Sequence, residues 1–159
     1  MGLEFSGLKN IRQVHPGIDF ELDEDEFEPV DFSRNITQLR HASGFADRAP
    51  EIIDGAWYEY DDCWAPDGQI GYSNYSQWRS ELADLSGYTG SETDPFHELL
   101  QFSDCEGTIG AAAAGRLLKA FVHFEHKARI FQSTSFYRRY TWFHQVIEFA
   151  AQNGAVVFH

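Results

Sequence analysis

Apolar residues recur along this chain with two different periods, and those periods divide it into strands and helices. "GLEFSGLKNIRQV" is short, rich in strand-forming residues and broken by glycines, which predicts a first strand. "IDFELDEDEFEPVDF" alternates Ile18, Phe20 and Leu22 against acids and then loses the alternation in "DEDE", so it predicts a strand running into an acidic turn. "SRNITQLRHASGF" predicts a modest helix, with Ser33 as its cap, Ile36, Leu39 and the stem of Arg40 facing inward, and Gly44 at its end. "IIDGAWYEYDDCWAPDGQIGY" predicts two strands around a loop, with Pro66-Asp67-Gly68 as the turn.

The helical period then takes over. In "SNYSQWRSELADLSGY", Tyr75, Trp78, Leu82 and Leu85 recur at helix spacing, Ser73 or Asn74 can cap the start, and Gly87 stops it. "DPFHELLQF" predicts a short helix with Asp94 as cap and Pro95 at its first position. Two long helices follow. One runs from about Ile109 to Phe131 with Leu117, Phe121, Phe124, Ala128 and Phe131 on one stripe. The other runs from about Phe136 to Gln152 with Phe136, Tyr140, Phe143, Ile147 and Ala150 on the matching stripe. The short "QSTS" joint predicts an antiparallel helix pair, and "AVVFH" after Asn153-Gly154 reads as a final strand returning to the sheet. The fold class is therefore α+β: a small, mainly antiparallel sheet of about four or five strands packed against helices, closed by the helix pair and a short last strand.

Composition sharpens this only in part. With 159 residues, 43% hydrophobic and 16% aromatic, the chain reads as a single domain, 1–159, with a packed core. No apolar run reaches the roughly 18 residues of a membrane span. No basic region precedes an apolar one at the start, and Ser6 in "MGLEFS" matches a myristoylation pattern only by chance, so no membrane association and a cytoplasmic location are expected. Charge changes the picture more. The net charge is −13, but residues 1–110 hold 23 acids and 6 bases, whereas residues 111–159 hold 6 bases and 2 acids. So acidic a chain disfavours direct nucleic-acid binding and suits a basic partner, while the cationic end leaves room for a phosphate-bearing ligand.

Candidate chemistry centres on "SDCEGTIGAAAAGRLL", residues 103–118, where the start of a helix is stripped of side chains. Thr108 reads as its N-cap, and Gly110 and Gly115 each cost about 1 kcal/mol relative to alanine, which calls for close approach by something. Tight packing against a neighbouring element is one reading. A phosphate or carboxylate held by free N–H groups near Thr108 and Gly110 is the other. Asp104 and Glu106 form a carboxylate pair able to hold Mg²⁺, with Asp61 and Asp62 as a second pair. Otherwise no cofactor is implied. Cys63 and Cys105 lack zinc spacing, Cys105 lies between acids that raise its thiol pKa, and no hydrolase elbow is present. His144 and Glu148, one turn apart, predict a surface pair.

Three further groups bear on binding. Trp57, Tyr58, Tyr60, Trp64 and Tyr72 surround the second hairpin, and Trp64 and Tyr72 are candidates to stack on a base. Arg138 and Arg139, with Lys127 and Arg129, are the dense cations suited to phosphate. Asp23, Glu24, Asp25 and Glu26 lie in an acidic run that reads either as a solvated edge or as a mimic presented to a nucleic-acid-binding surface.

"YSNYSQWRSELADLSGY", "FSDCEGTIG" and "FAAQNGAVVFH" together resemble a family of small uncharacterised proteins from phages and prophages, with "SDCEGTIG" the most specific piece. That family often has proline where this chain has Ala111. The resemblance carries no catalytic residue. It implies a compact phage accessory protein working in the host cytoplasm, with countering a host defence as the suggested role. Two classes of function follow as expectations. One is non-catalytic binding, of a host protein or a nucleotide-like small molecule, or acidic inhibition of a nucleic-acid-binding protein. The other is metal-dependent phosphohydrolysis by Asp104 and Glu106, with Asp61 and Asp62 as candidate additions. Self-association into a homo-oligomer is left open.

Overall fold

The computed structural model describes residues 2–101, 106–131 and 133–159. Its central element is a four-stranded antiparallel sheet built from β2 (Phe5–Lys9), β8 (Asp62–Trp64), β10 (Gly107–Gly110) and β11 (Ala155–Phe158), in the order β10-β11-β2-β8. Around it lie β1 (Gly2–Leu3) paired with β9 (Ile70–Gly71), the sheet β3-β7-β6 (Arg12–Val14, Trp57–Glu59, Ile36–Gln38), and the hairpin β4-β5 (Leu22–Asp23, Glu28–Pro29). Four helices complete the chain: α1 (Tyr72–Ser86), α2 (His97–Leu100), α3 (Ala111–Arg129) and α4 (Thr134–Ala150). The α+β class, the C-terminal helix pair and the final strand are as expected. Among the described residues, no helix is long and apolar enough to cross a membrane.

Strand alternation sends successive side chains of the central sheet to opposite faces. Phe5, Ile109, Val156 and Phe158 join the large core under the helices, whereas Leu8, Ala155 and Val157 join a smaller one with Leu39, Ala49, Ile52 and Tyr58. The stripe residues Leu117, Phe121, Phe136, Tyr140, Phe143, Ile147 and Ala150 are all fully buried in the large core. At its middle, Phe143 of α4 stacks on Phe5 with ring centroids 4.2 Å apart and on Trp78 of α1 at 4.4 Å. The helix reaches this depth because Gly7 has no side chain: a Cβ there would lie 2.5 Å from the Val146 carbonyl oxygen.

Several local expectations are corrected. Residues 33–44 do not form a helix; β6 pairs along β7, and the Ser33 hydroxyl donates to Asp31 Oδ1 at 2.6 Å instead of capping. Ile36 and Thr37 are β-branched, and cross-strand pairing outweighs the modest helical pattern. Ile18 is exposed in a turn, so the alternating strand shrinks to Leu22–Asp23. The region 52–72 holds three short strands, not two. Gly71, not Ser73 or Asn74, is the N-cap residue of α1. α2 begins at His97, two residues after Pro95, and Asp94 instead accepts from Thr89 N and Oγ1 and from Ser91 N. α4 starts earlier than expected, with the Ser133 hydroxyl accepting from Phe136 N at 3.3 Å, and ends at Ala150. His144 faces Glu125 at 3.9 Å and stacks on Phe121, not on Glu148.

One ion network fastens the small sheet. Glu59 of β7 takes Arg12 of β3 at 3.0 Å on one carboxylate oxygen and Arg34 at 3.1 Å on the other. Arg34 first, and Arg12 with it, hold the Glu59 carboxyl below its ordinary pKa.

Gly7→Ala forces α4 off the sheet and lowers unfolding free energy by about 1–3 kcal/mol. Gly115→Ala fills open space inside α3 and raises it by about 0.5–1 kcal/mol, both read from urea denaturation. Because Glu59 is depressed on folding, its stabilisation is complete above the unfolded carboxylate value near ~4.3 and is lost as pH falls through the lower folded value. Glu59→Gln therefore gives a shallower loss of stability with acid than the unaltered chain, measured as the urea midpoint against pH.

Candidate functional site

The bare helix start is explained by packing on one side and by a carboxylate of the same chain on the other. Thr108 is not the N-cap. It sits within β10, opposite Val157 of β11, and α3 begins only after Gly110. The run Thr108-Ile109 has strand-forming branched side chains, and pairing with β11 takes them out of the helix. Ala113 and Ala114 are wholly buried in the large core. Above them Glu51 lies across Gly110, where any Cβ would collide with its carboxylate, and Glu51 Oε1 accepts from Ala112 N at 3.1 Å. A negative charge does stand at the helix start, as the macrodipole favours, but it belongs to the protein.

The nucleotide-type candidates are dispersed. Arg138 lies on the exposed side of α4, stacked over Trp142 at 5.3 Å, with Arg139 beside it half-buried. Trp64 packs against the large core, and Tyr72 is exposed at the start of α1. Lys127 donates to the Leu85 carbonyl oxygen at 2.8 Å, and Arg129 pairs with Glu125. Thr108 faces away from the helices, because Ile109 next to it faces them. The structure therefore does not bring Thr108 and Gly110 together with Arg138 and Arg139.

Asp104 and Cys105 lie outside the described residues. Glu106 is exposed, and its backbone carbonyl oxygen accepts from the buried Arg48 Nη2 at 3.2 Å. Asp61 is taken by Arg12 at 2.8 Å, which holds its carboxyl below the usual range, while Asp62 Oδ1 accepts from Cys63 N. Among the described residues, no three His, Cys, Asp or Glu side chains converge to hold a metal.

Two surfaces stand out instead. The first is the β4-β5 hairpin. Asp23, Glu24, Asp25 and Glu26 are all exposed, and among the described residues none of the four forms an ion pair. Phe27 closes the turn by donating its N–H to the Asp23 carbonyl oxygen at 2.7 Å, at a φ of 55° that a phenylalanine rarely adopts. Its ring is 76% exposed, and Phe32 is 78% exposed. The hairpin overhangs a cleft of about 430 Å³ lined by Phe27, Pro29, Phe32, Ile36 and Trp57 together with Glu28 and Asp31. The Ser33 hydroxyl and N–H hold the Asp31 carboxyl below its ordinary range, which keeps it charged.

The second surface lies on the central sheet's second face, away from the helices. A groove of about 410 Å³ runs over Ser6, Leu8, Tyr60, Cys63 and Val157, and a neighbouring recess of about 310 Å³ runs over His41, Glu106 and Thr108. Thr37, Val157 and His159 line both. Ser6 Oγ and His159 Nε2 share a hydrogen bond at 3.0 Å. Burial pushes the Cys63 thiol up, Asp62 adds to the rise, and the Ser6 hydroxyl opposes it.

Sequence reasoning singled out none of Ser6, His41, Glu51 or His159. Ser6 carried a signal: it is the polar residue between Phe5 and Leu8 on a strand whose faces are both covered. Glu51 and His159 carried none, since each meets its partner across a large sequence separation.

No family model matches the chain, and no curated protein or solved structure matches it either.

Glu51→Ala removes both a capping acceptor and a favourable charge at the α3 start, and is expected to cost about 1 kcal/mol in urea denaturation. Added salt should shrink the difference between variant and parent.

Proposed function

We propose that this chain acts by binding, and that the acidic hairpin with its two exposed phenylalanines is the contact surface for a basic protein. One observation carries the reading: exposed carboxylates that form no ion pair among the described residues flank the exposed Phe27 at the tip of the β4-β5 hairpin, with Phe32 exposed just beyond β5. Exposed rings of this size contribute nothing to the fold where they stand, and at interfaces aromatic anchors supply most of the binding energy. Phe27 holds the left-handed backbone conformation that closes the turn, and its side chain stays exposed there. The surrounding carboxylates attract a cationic surface and speed its approach. Beneath the hairpin, the cleft combines aromatic faces with Glu28 and Asp31, and the one guanidinium that lines it, Arg34, is paired with Glu59 at 3.1 Å, a setting that suits the stem and charge of an incoming arginine or lysine.

The cationic surface of a nucleic-acid-binding protein has this chemistry, so acidic competition with nucleic acid is the mode of action we favour. If the chain is a phage accessory protein, as "FSDCEGTIG" suggests, that partner is a host factor and the effect is on a host defence. Capture of a nucleotide by Arg138, Arg139, Trp64 and Tyr72 has less support, because these side chains are spread over separate surfaces. Metal-dependent phosphohydrolysis has less again, because the carboxylate of Asp61 is already engaged by Arg12.

Affinity capture from host lysate tests this with two variants. One neutralises Asp23, Glu24, Asp25 and Glu26 to their amides, and the other carries Phe27→Ser and Phe32→Ser. A basic protein retained by the parent should be lost by both variants, and its retention should fall steeply with salt. Equal retention by parent and variants would sink the proposal, provided circular dichroism shows both variants folded.

A further inference from the structure

We infer that the groove and recess on the second face of the central sheet form a binding site for a small, uncharged, ring-bearing molecule of nucleoside size. This site borders the cleft beneath the hairpin, with Thr37 and Gln38 lining both, and stands on different observations.

Thr108 is the first of them. It is 1% exposed, and its hydroxyl has no hydrogen-bond partner among the described residues. Leaving a buried hydroxyl unpaired is costly, and valine would fill the same space without that penalty. The hydroxyl lies under the recess because Ile109 points to the helices and alternation sends Thr108 the other way. The strand register sets its neighbours. Thr108 pairs with Val157 and Val157 with Ser6, so one row of the sheet carries two hydroxyls on either side of an apolar floor.

The second observation is the ring of groups above that row. His159 bonds Ser6 at 3.0 Å, and His41 lines the recess with its Nε2 near the carbonyl oxygens of Ala49 and Ile52. Tyr60 forms part of the groove wall. With His41 Nε2 held by the two carbonyl oxygens and His159 Nε2 by Ser6, the rings are fixed in place beside an aromatic and aliphatic surface, and the second nitrogen of each imidazole and the Tyr60 hydroxyl are the polar groups a flat ring with polar edges would meet.

Charge narrows the class further. The rim holds the carboxylates of Glu4 and Glu106 against the single guanidinium of Arg40. Glu4 is hydrogen-bonded by Gln69, and Arg40 donates to Gln38 Oε1 at 2.9 Å. In a chain of net charge −13, such a rim repels phosphate. The geometry therefore points to a nucleoside, with its base over one lobe and its sugar over the other, and disfavours the corresponding nucleotide.

The test titrates the isotope-labelled full chain with adenosine, guanosine, cytidine and uridine in turn, and with the matching 5′-monophosphates, following amide shifts by NMR. At least one nucleoside should give saturable shifts centred on Ser6, Thr37, Tyr60 and Thr108, and its monophosphate should bind more weakly. Thr108→Val should bind that nucleoside about five- to tenfold more weakly and yet melt a few degrees higher, because a buried unpaired hydroxyl is removed. Thr108→Ser keeps the hydroxyl and should bind within about twofold of the parent. Three results would each overturn the inference: no saturable shift with any of the four nucleosides, tighter binding of the monophosphate, or a Thr108→Val variant that melts lower or binds unchanged.

Discussion

Phe143 lies between Phe5 and Trp78 at ring separations of 4.2 and 4.4 Å, and through those two contacts α4 is joined to β2 and to α1 at once. Stacked aromatic pairs add about 0.5–1.5 kcal/mol each beyond the surface they bury. They also set distances: the rings fit only if α4 descends onto Gly7, and that descent commits one face of the sheet entirely to the helices. Among the described residues, the buried Trp78 indole N–H has no hydrogen-bond partner in this arrangement. With one face filled, the polar side chains of the strands can lie only on the other. Ser6 and Thr108 occur where they do because Phe5 and Ile109 have taken the helix side.

How much of this can be read from residues alone depends on whether local pattern or distant pairing decides each element. α1, α3 and α4 are legible because their stripes are long and consistent, so every turn repeats the same signal. Residues 33–44 mislead because Ser33 and Gly44 look like helix punctuation, while the partner that makes Ile36–Gln38 a strand lies distant in sequence at Trp57–Glu59. Thr108 misleads for a related reason. It is a good cap by type, but β11 offers four backbone partners to Gly107–Gly110 and the helix is pushed forward to Ala111.

The candidate surfaces show the same division. The acidic run is visible as charge, but nothing in its pattern marks Phe27, which the fold leaves exposed at the hairpin tip, where it is part of the display. The stripped helix start was visible as an anomaly, and close packing of Ala113 and Ala114 was among its readings. Glu51 was not foreseeable, because nothing in "PEIIDG" marks a residue that will cross Gly110. The Ser6–His159 contact joins residues 153 positions apart, a distance over which composition and periodicity carry no information.

The position of β11 has a consequence for how the chain comes to be folded at all. It lies between β10 and β2, antiparallel to both, so two edges of the central sheet stay unsatisfied until it arrives. The α3-α4 hairpin needs only neighbouring sequence and can form within microseconds. β2 must wait for a strand almost a full chain length later, and pairings of that span slow folding because loop closure precedes any gain. On the ribosome, Phe5 and Leu8 are therefore made long before their cover exists. Until β11 pairs, the open strand edges and the apolar side chains of β2 stay exposed longer than the surfaces of a helical bundle of equal size would.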